Sequence, residues 1–325
     1  MAAWKRIPGG APVPNKVLHC RQAQGPALAR GRCYHGHMEP PTSALTQNTE
    51  HLHHAAELLL QADALIIAAG AGMGVDSGLP DFRGTAGFWN AYPALAREQI
   101  DFASISCPDT FHDHPARAWG FYGHRLQLYR TTQPHAGFQI LRRWGAGMHN
   151  GCSVFTSNVD GQFQKAGFDP SAINECHGSI HHLQCLKRCT PAIWPADDFE
   201  PDVDEEQCLL RNAPPRCPHC SGMARPNIMM FNDWDWLHER QAAQSRRLDH
   251  WLLGVNRPVV VEMGAGTAIP SVRHFSQHVL HRYGGRLVRL NPREFTVPTP
   301  RDVGFAGGAL ATLQAIDAVM EAMQG

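Results

Sequence analysis

The stretch that most restricts what this chain can become is Ala64 to Gly74, an apolar run that stops in a glycine-rich turn. Ala64-Leu65-Ile66-Ile67-Ala68-Ala69 is too short to span a membrane and has the unbroken hydrophobicity of a strand buried on both faces. In Gly70-Ala71-Gly72-Met73-Gly74 the missing side chains let backbone N–H groups come close to an anion. After a strand, that arrangement suits the pyrophosphate of a dinucleotide. It departs from the standard dinucleotide fingerprint: Val75 stands where a third glycine is due, and no acidic residue ends a second strand about 20 residues on. Taken alone, the stretch also fits a plain tight turn. The chain leaves it through Ser77-Gly78-Leu79-Pro80-Asp81-Phe82-Arg83-Gly84, an unusual polar exit from a core strand.

Further apolar runs repeat the pattern. Cys152–Thr156 leads into Ser157-Asn158-Val159-Asp160-Gly161, Pro258–Met263 into Gly264-Ala265-Gly266-Thr267, and Arg286–Leu290 into Asn291-Pro292-Arg293-Glu294. Helical periodicity marks Thr46–Ala62, His114–Tyr129, Val272–Arg282 and Ala309–Met323. Short apolar strands separated by helices predict an open, mostly parallel α/β sheet, and ligands of such sheets bind beyond the carboxyl ends of the strands. Each strand here ends in small or polar residues, so one crevice is expected to collect them.

At 325 residues and 43% hydrophobic content the chain can bury a large core in one or two domains. A formal net charge of zero argues against a general nucleic-acid or membrane-surface binder. No run of 18 apolar residues occurs, so no transmembrane helix is expected. Residues 1–37 are rich in Gly, Pro and Arg and hold no Asp or Glu; they read as a disordered extension, with Met38 as an alternative start. The sequence carries no signal-peptide pattern, and the expected location is cytoplasmic.

Six of the ten cysteines fall between Cys176 and Cys220. Cys185-x3-Cys189 is followed, after 27 intervening residues, by Cys217-Pro-His-Cys220, and two thiolate pairs on tight turns can close a tetrahedral Zn²⁺ site. Four protein ligands leave no open position, so the metal would hold structure rather than activate water. Cys208, His181, His182 and His219 are nearby stand-in ligands. Between the pairs, Asp197–Glu206 carries seven acids in ten residues and reads as a solvated loop.

The glycine turn together with Ser77–Gly84 resembles the NAD-binding signature of the sirtuins, the NAD-dependent protein deacylases, and the likeness extends from about Leu65 to Leu313. The resemblance implies a Rossmann-like domain (46–85, 136–178 and 226–325) and a smaller discontinuous zinc-binding domain (86–135 and 179–225), after an extension over 1–45. It implies NAD contacts at Gly70, Ala71, Gly72, Asp81, Phe82, Arg83, Ser157, Asn158 and Asp160. Gly264, Gly266, Thr267, Asn291 and Glu294 would meet the adenosine side. His177, before Gly178 and the zinc module, matches the family's catalytic histidine, with Asn158 toward the ribose and Asp160 toward the carboxamide. A neutral imidazole, whose ordinary pKa is about 6.5, can take a proton from a ribose hydroxyl. Ile228, Met230 and Phe231 stand where the family docks its acyl-lysine protein or peptide. The implied cofactors are NAD and a structural Zn²⁺.

Five departures from the family pattern stand out: Gly74, Ser157, Phe163, Asn232-Asp233 and Ala265-Gly266. The first three bear on the nicotinamide pocket and the fourth on the peptide loop. Tyr122-x-x-Arg125, flanked by His114–Trp119 and Gln133–Gly137, resembles the element of sirtuins that remove succinyl, malonyl and glutaryl groups. A guanidinium fork and a phenol on one helix face can bind a distal carboxylate; equally, any amphipathic helix supplies a core tyrosine and a solvated arginine. Mono-ADP-ribosyl transfer, NAD hydrolysis and a non-catalytic NAD-sensing module are rival readings on the same fold.

Overall fold

The computed structural model describes residues 42–80 and 84–325. Its strands, in chain order, are β1 (Ala64–Ala69), β2 (Cys152–Thr156), β3 (Ile173–Glu175), β4 (Gly178–Cys185), β5 (Ile193–Pro195), β6 (Val203–Asp204), β7 (Leu209–Leu210), β8 (Ala224–Ile228), β9 (Pro258–Met263), β10 (Arg286–Leu290) and β11 (Val303–Phe305). Six of them form a parallel sheet in the order β11-β10-β9-β1-β2-β3. The apolar run that dominates the sequence is at its centre. β1 is buried at every position because both faces are covered. Alternation divides its side chains: Leu65, Ile67 and Ala69 join the core under the helices Thr42–Gln61, Ala136–Ala146 and Ala309–Gln324, while Ile66 and Ala68 join the one under Glu239–Leu252 and Ser271–Tyr283.

The chain runs outward from β1 to β2 and β3 on one side, and later to β9, β10 and β11 on the other. The switch point of the topology therefore lies at the carboxyl end of β1, beside β2 and β9, where a doubly wound sheet opens its crevice. Close backbone approach builds that corner. Gly264 has φ 61°, and a Cβ there would stand 2.4 Å from the Gly72 Cα. Only glycine permits the loops after β1 and β9 to touch in this way.

A second core gathers Phe88, Tyr92, Phe111, Trp119, Phe121 and Tyr122 with Ile180, Leu183 and Leu210. Its spine is the helix Pro115–Thr131, which meets β7 so closely at Gly120 that a Cβ would lie 2.2 Å from the Cys208 carbonyl oxygen. Beside it stands a three-stranded antiparallel sheet, β5-β4-β8.

Several details differ from the sequence reading. The first helix begins at Thr42 rather than Thr46. The acidic span 197–206, read as a loop, contributes β6 to a two-stranded hairpin with β7 and buries Phe199 and Pro201. The inward residues are the apolar Phe199 and Pro201, whereas the acids face water apart from the partly buried Asp204. The readings for residues 1–41 and for Asp81, Phe82 and Arg83 lie outside the described residues. Among the described residues, no helix is long and apolar enough to cross a membrane.

Candidate active site

One cavity of about 630 Å³ lies beyond the carboxyl ends of β1, β2 and β9 and continues toward the second core. Gly70 and Ala71 line it after β1; Ser157, Asn158 and Asp160 after β2; Gly264, Gly266 and Thr267 after β9; and Glu294 after β10. Tyr122, Arg125, His177, Ile228, Met230 and Phe231 line it too. Gly72 and Asn291 do not. The Gly72 N–H is bonded to the Gly264 carbonyl at 3.2 Å. Asn291 is buried; its Nδ2 donates to the Ala265 carbonyl at 2.9 Å, and its Oδ1 accepts the Arg293 and Glu294 N–H groups at 3.0 Å. Asn291 thus shapes two loops that border the cavity.

The strand ends hold the polar groups in place. Thr156 Oγ1 donates to the Ala69 carbonyl at 3.0 Å and accepts the Asn158 N–H at 3.0 Å. Asn158 Nδ2 then reaches the Gly70 carbonyl at 3.1 Å, which ties the β2 loop to the glycine turn. His177 follows β3, its Nε2 3.0 Å from Ser271 Oγ. Burial holds the His177 pKa below the usual histidine value, although a backbone contact with Ser157 acts the other way. The ring is therefore neutral at pH 7 and able to accept a proton.

Asp160 is buried, and its carboxyl is pushed up to about 6, chiefly by desolvation, with the Gln162 N–H bond at 3.0 Å pulling it back. An unfolded aspartate titrates near 3.9, so between these values the folded state binds more protons than the unfolded one. Folding stability must then fall as pH rises through that window. Asp160→Asn removes the titration and keeps an oxygen for Gln162. Its stability advantage over the native protein is expected to grow between pH 4 and pH 7 by up to roughly 3 kcal/mol. Denaturant melts of both proteins at the two pH values check this, and an advantage independent of pH would contradict it.

Arg125 is buried beneath the cavity, its guanidinium 5.2, 5.6 and 5.4 Å from the rings of Phe121, Tyr122 and Tyr129. Its Nε and one terminal nitrogen both donate to the Tyr129 hydroxyl, at 3.0 and 2.9 Å. Desolvation raises the Tyr122 pKa, so the phenol keeps its proton and remains a donor. The loop after β8 is set by a fully buried ion pair of Arg225 and Asp233 at 2.8 Å, with Asp233 also accepting the Met230 and Asp235 N–H groups.

The departures fall in different places. Phe163 packs on Phe138 and Phe168 in the large core. Gly74 is buried against Leu79. Neither lines the cavity; Ser157, Ala265 and Gly266 do. Asn232 has φ 55°, a left-handed conformation that asparagine tolerates better than most residues, so it can take the place of a turn glycine. Ser106, Ser271 and Arg225 were not singled out from the sequence. Serines and arginines are ordinary in such segments, and only the tertiary contacts distinguish these three.

The four cysteine Sγ atoms of Cys185, Cys189, Cys217 and Cys220 lie within 4.8 Å of one another. Cys185 and Cys220 are 3.8 Å apart and Cys189 and Cys217 3.5 Å, close to the separation that Zn–S bonds of about 2.3 Å impose in a tetrahedron. Both turns use left-handed residues, Arg188 and Ser221. The Cys217 thiol is drawn down to about 7: burial raises it, but backbone contacts at Cys220 and His219, together with the neighbouring Cys189 and Cys185 thiols, outweigh that. The set fits zinc. Cys208, a stand-in by sequence, is instead buried in the second core.

Residues 70–250 match the sequence model of the Sir2 family. The chain is 31% identical over 264 residues to NAD-dependent protein deacylase 1 of Pseudomonas aeruginosa, covering 79% of this chain and 95% of that protein. It is 27% identical over 255 residues to NAD-dependent protein deacylase 2 of Pyrobaculum aerophilum, covering 78% and 90%. Among solved structures, an NAD complex of a Sir2 homologue superposes with a TM-score of 0.63 at 19% identity, over 90% of this chain and 98% of that one. A mutant Sir2 homologue bound to ADP-ribose gives 0.62 at 20% identity, over 83% and 97%.

Proposed function

The chain belongs to the Sir2 family, and from that premise we propose that it is an NAD-dependent protein-lysine deacylase with a preference for acidic acyl groups. The observation that carries the reading is one cavity lined by two glycine loops, by Asn158, Asp160 and His177, and by Tyr122 and Arg125 at its other end. Its roughly 630 Å³ is within the range of ligand sites.

NAD, when bound, supplies a ribose carbon that accepts the acyl oxygen as nicotinamide leaves. Gly70 and Ala71 would take its pyrophosphate, since they present backbone close to the ligand without side chains in the way. Asn158 would meet the ribose, Asp160 the carboxamide, and Gly266, Thr267 and Glu294 the adenosine side. His177 takes a proton from a ribose hydroxyl, and Ser271 orients its ring. Ile228, Met230 and Phe231 border the path of an acyl-lysine segment, and the partly exposed faces of Met229 and Phe231 offer it apolar contact.

Arg125 and Tyr122 would receive the far carboxylate of a succinyl or related chain. The guanidinium is desolvated between three rings, so removing it would leave a bound carboxylate buried and unpaired, a far larger loss than at a surface. Arg125→Met is expected to cut kcat/KM for a succinyl-lysine peptide about a hundredfold while sparing its acetyl-lysine counterpart. Steady-state assays of both peptides check this. Equal losses on the two would discard the acidic-acyl preference and leave the deacylase.

A further inference from the structure

Ser106 follows the short helix Phe102–Ile105 and is only 4% exposed. Its carbonyl accepts the Phe231 N–H at 2.9 Å, so the loop that borders the cleft fixes its position. Its side chain lines the same cavity as Tyr122 and Arg125 and stands beside the Tyr122 phenol. Yet among the described residues the Ser106 hydroxyl completes no hydrogen bond of good geometry, and its contact with the Tyr122 phenol is an electrostatic one that lowers the phenol's pKa against the rise from burial. A buried hydroxyl in that state is destabilising, and an alanine would fill the site without that cost. A polar atom of this kind, in a residue that lines a binding cavity, points to a bond made with the ligand once it is bound.

We propose that Ser106 is a specificity-determining residue whose hydroxyl donates to the distal carboxylate of the acyl chain, beside Tyr122 and Arg125. The inference rests on the acidic-acyl reading of that pocket. The chemistry is complementary: a carboxylate has about four lone-pair directions, more than one arginine fork fills, and a serine hydroxyl rotates to suit the acceptor. Selection works in both directions. An acetyl or longer aliphatic group offers nothing to Ser106 and leaves its hydroxyl buried and unpaired, which counts against those substrates.

The test compares the native protein, Ser106→Ala, Arg125→Met and the double variant on succinyl-lysine and acetyl-lysine forms of one peptide, with a thermal melt of each protein. In Ser106→Ala the ratio of kcat/KM for succinyl over acetyl is expected to fall about tenfold, mainly through KM. Its Tm should equal or exceed that of the native protein, because no internal bond is lost. The effect of Ser106→Ala on the ratio should shrink when Arg125 is already Met, since the carboxylate is then no longer held in place. A native preference for succinyl that Ser106→Ala leaves unchanged overturns the role of Ser106 and spares the acidic-acyl reading. A lowered Tm with equal losses on both substrates makes Ser106 structural and also overturns it. A native protein with no succinyl preference overturns the acidic-acyl reading, and this inference with it.

Discussion

His177→Ala is expected to lower kcat for deacylation by a factor of 10² to 10⁴, the usual contribution of a positioned general base. The effect should fall on chemistry, not on folding. The ring meets only the Ser271 hydroxyl and the Ser157 backbone among its polar contacts in the described residues, and it belongs to none of the three hydrophobic clusters. Burial holds the His177 pKa below the ordinary value of 6.5. The base is active when neutral, so activity should fall as pH drops through a value below 6.5 and stay level up to pH 8 on this limb. A pH profile of kcat/KM checks the sign. An acid limb centred above 6.5, or a His177→Ala protein of near-native rate, would remove His177 from the proton transfer.

The second large effect concerns the metal. One Zn²⁺ per chain is expected by elemental analysis, and Cys217→Ser should lose it. Cys185 ends β4, while Cys217 and Cys220 lie in the turn that leads into β8, so a four-thiolate clamp joins these two neighbouring strands of the antiparallel sheet at one end. Structural zinc contributes directly to folding free energy. Its removal should lower Tm by on the order of 10 °C, because several kcal/mol are lost in a chain of this size. β8 continues into Met229–Phe231, so the cleft should loosen together with the clamp. Melts with and without a strong chelator check this. A chain that holds no zinc, or a Tm unmoved by its removal, would contradict the assignment.

What the sequence disclosed follows from burial. β1, β2, β9 and β10 are the four inner strands of the sheet; β1 and β9 are buried at every position, and all four are apolar enough to be legible. β3 and β11 have three residues each, too few for any period to show. β9 even contains Glu262, buried and bonded to Arg289 at 2.6 Å, which no apolar pattern would place in a core strand. The cysteine pairs were legible because zinc dictates their spacing. Gly70, Asn158, Asp160 and His177 were legible through a long motif, and they line one cavity. Ser106 and Ser271 were not, since their distinction is a missing bond in one case and a bond across 94 residues in the other. Asn291 carries the right motif position but spends its side chain on backbone groups.

Acyl transfer to NAD, rather than NAD breakdown alone, is the reaction we assign to this cavity. The most direct measurement counts nicotinamide released and lysine deacylated in the same reaction, with a succinyl-lysine peptide, an acetyl-lysine peptide, an unmodified peptide and no peptide. One nicotinamide is expected for each acyl group removed, together with an O-acyl-ADP-ribose, and no release without an acylated peptide. Equal nicotinamide release in all four reactions, with no acyl group lost, would contradict it.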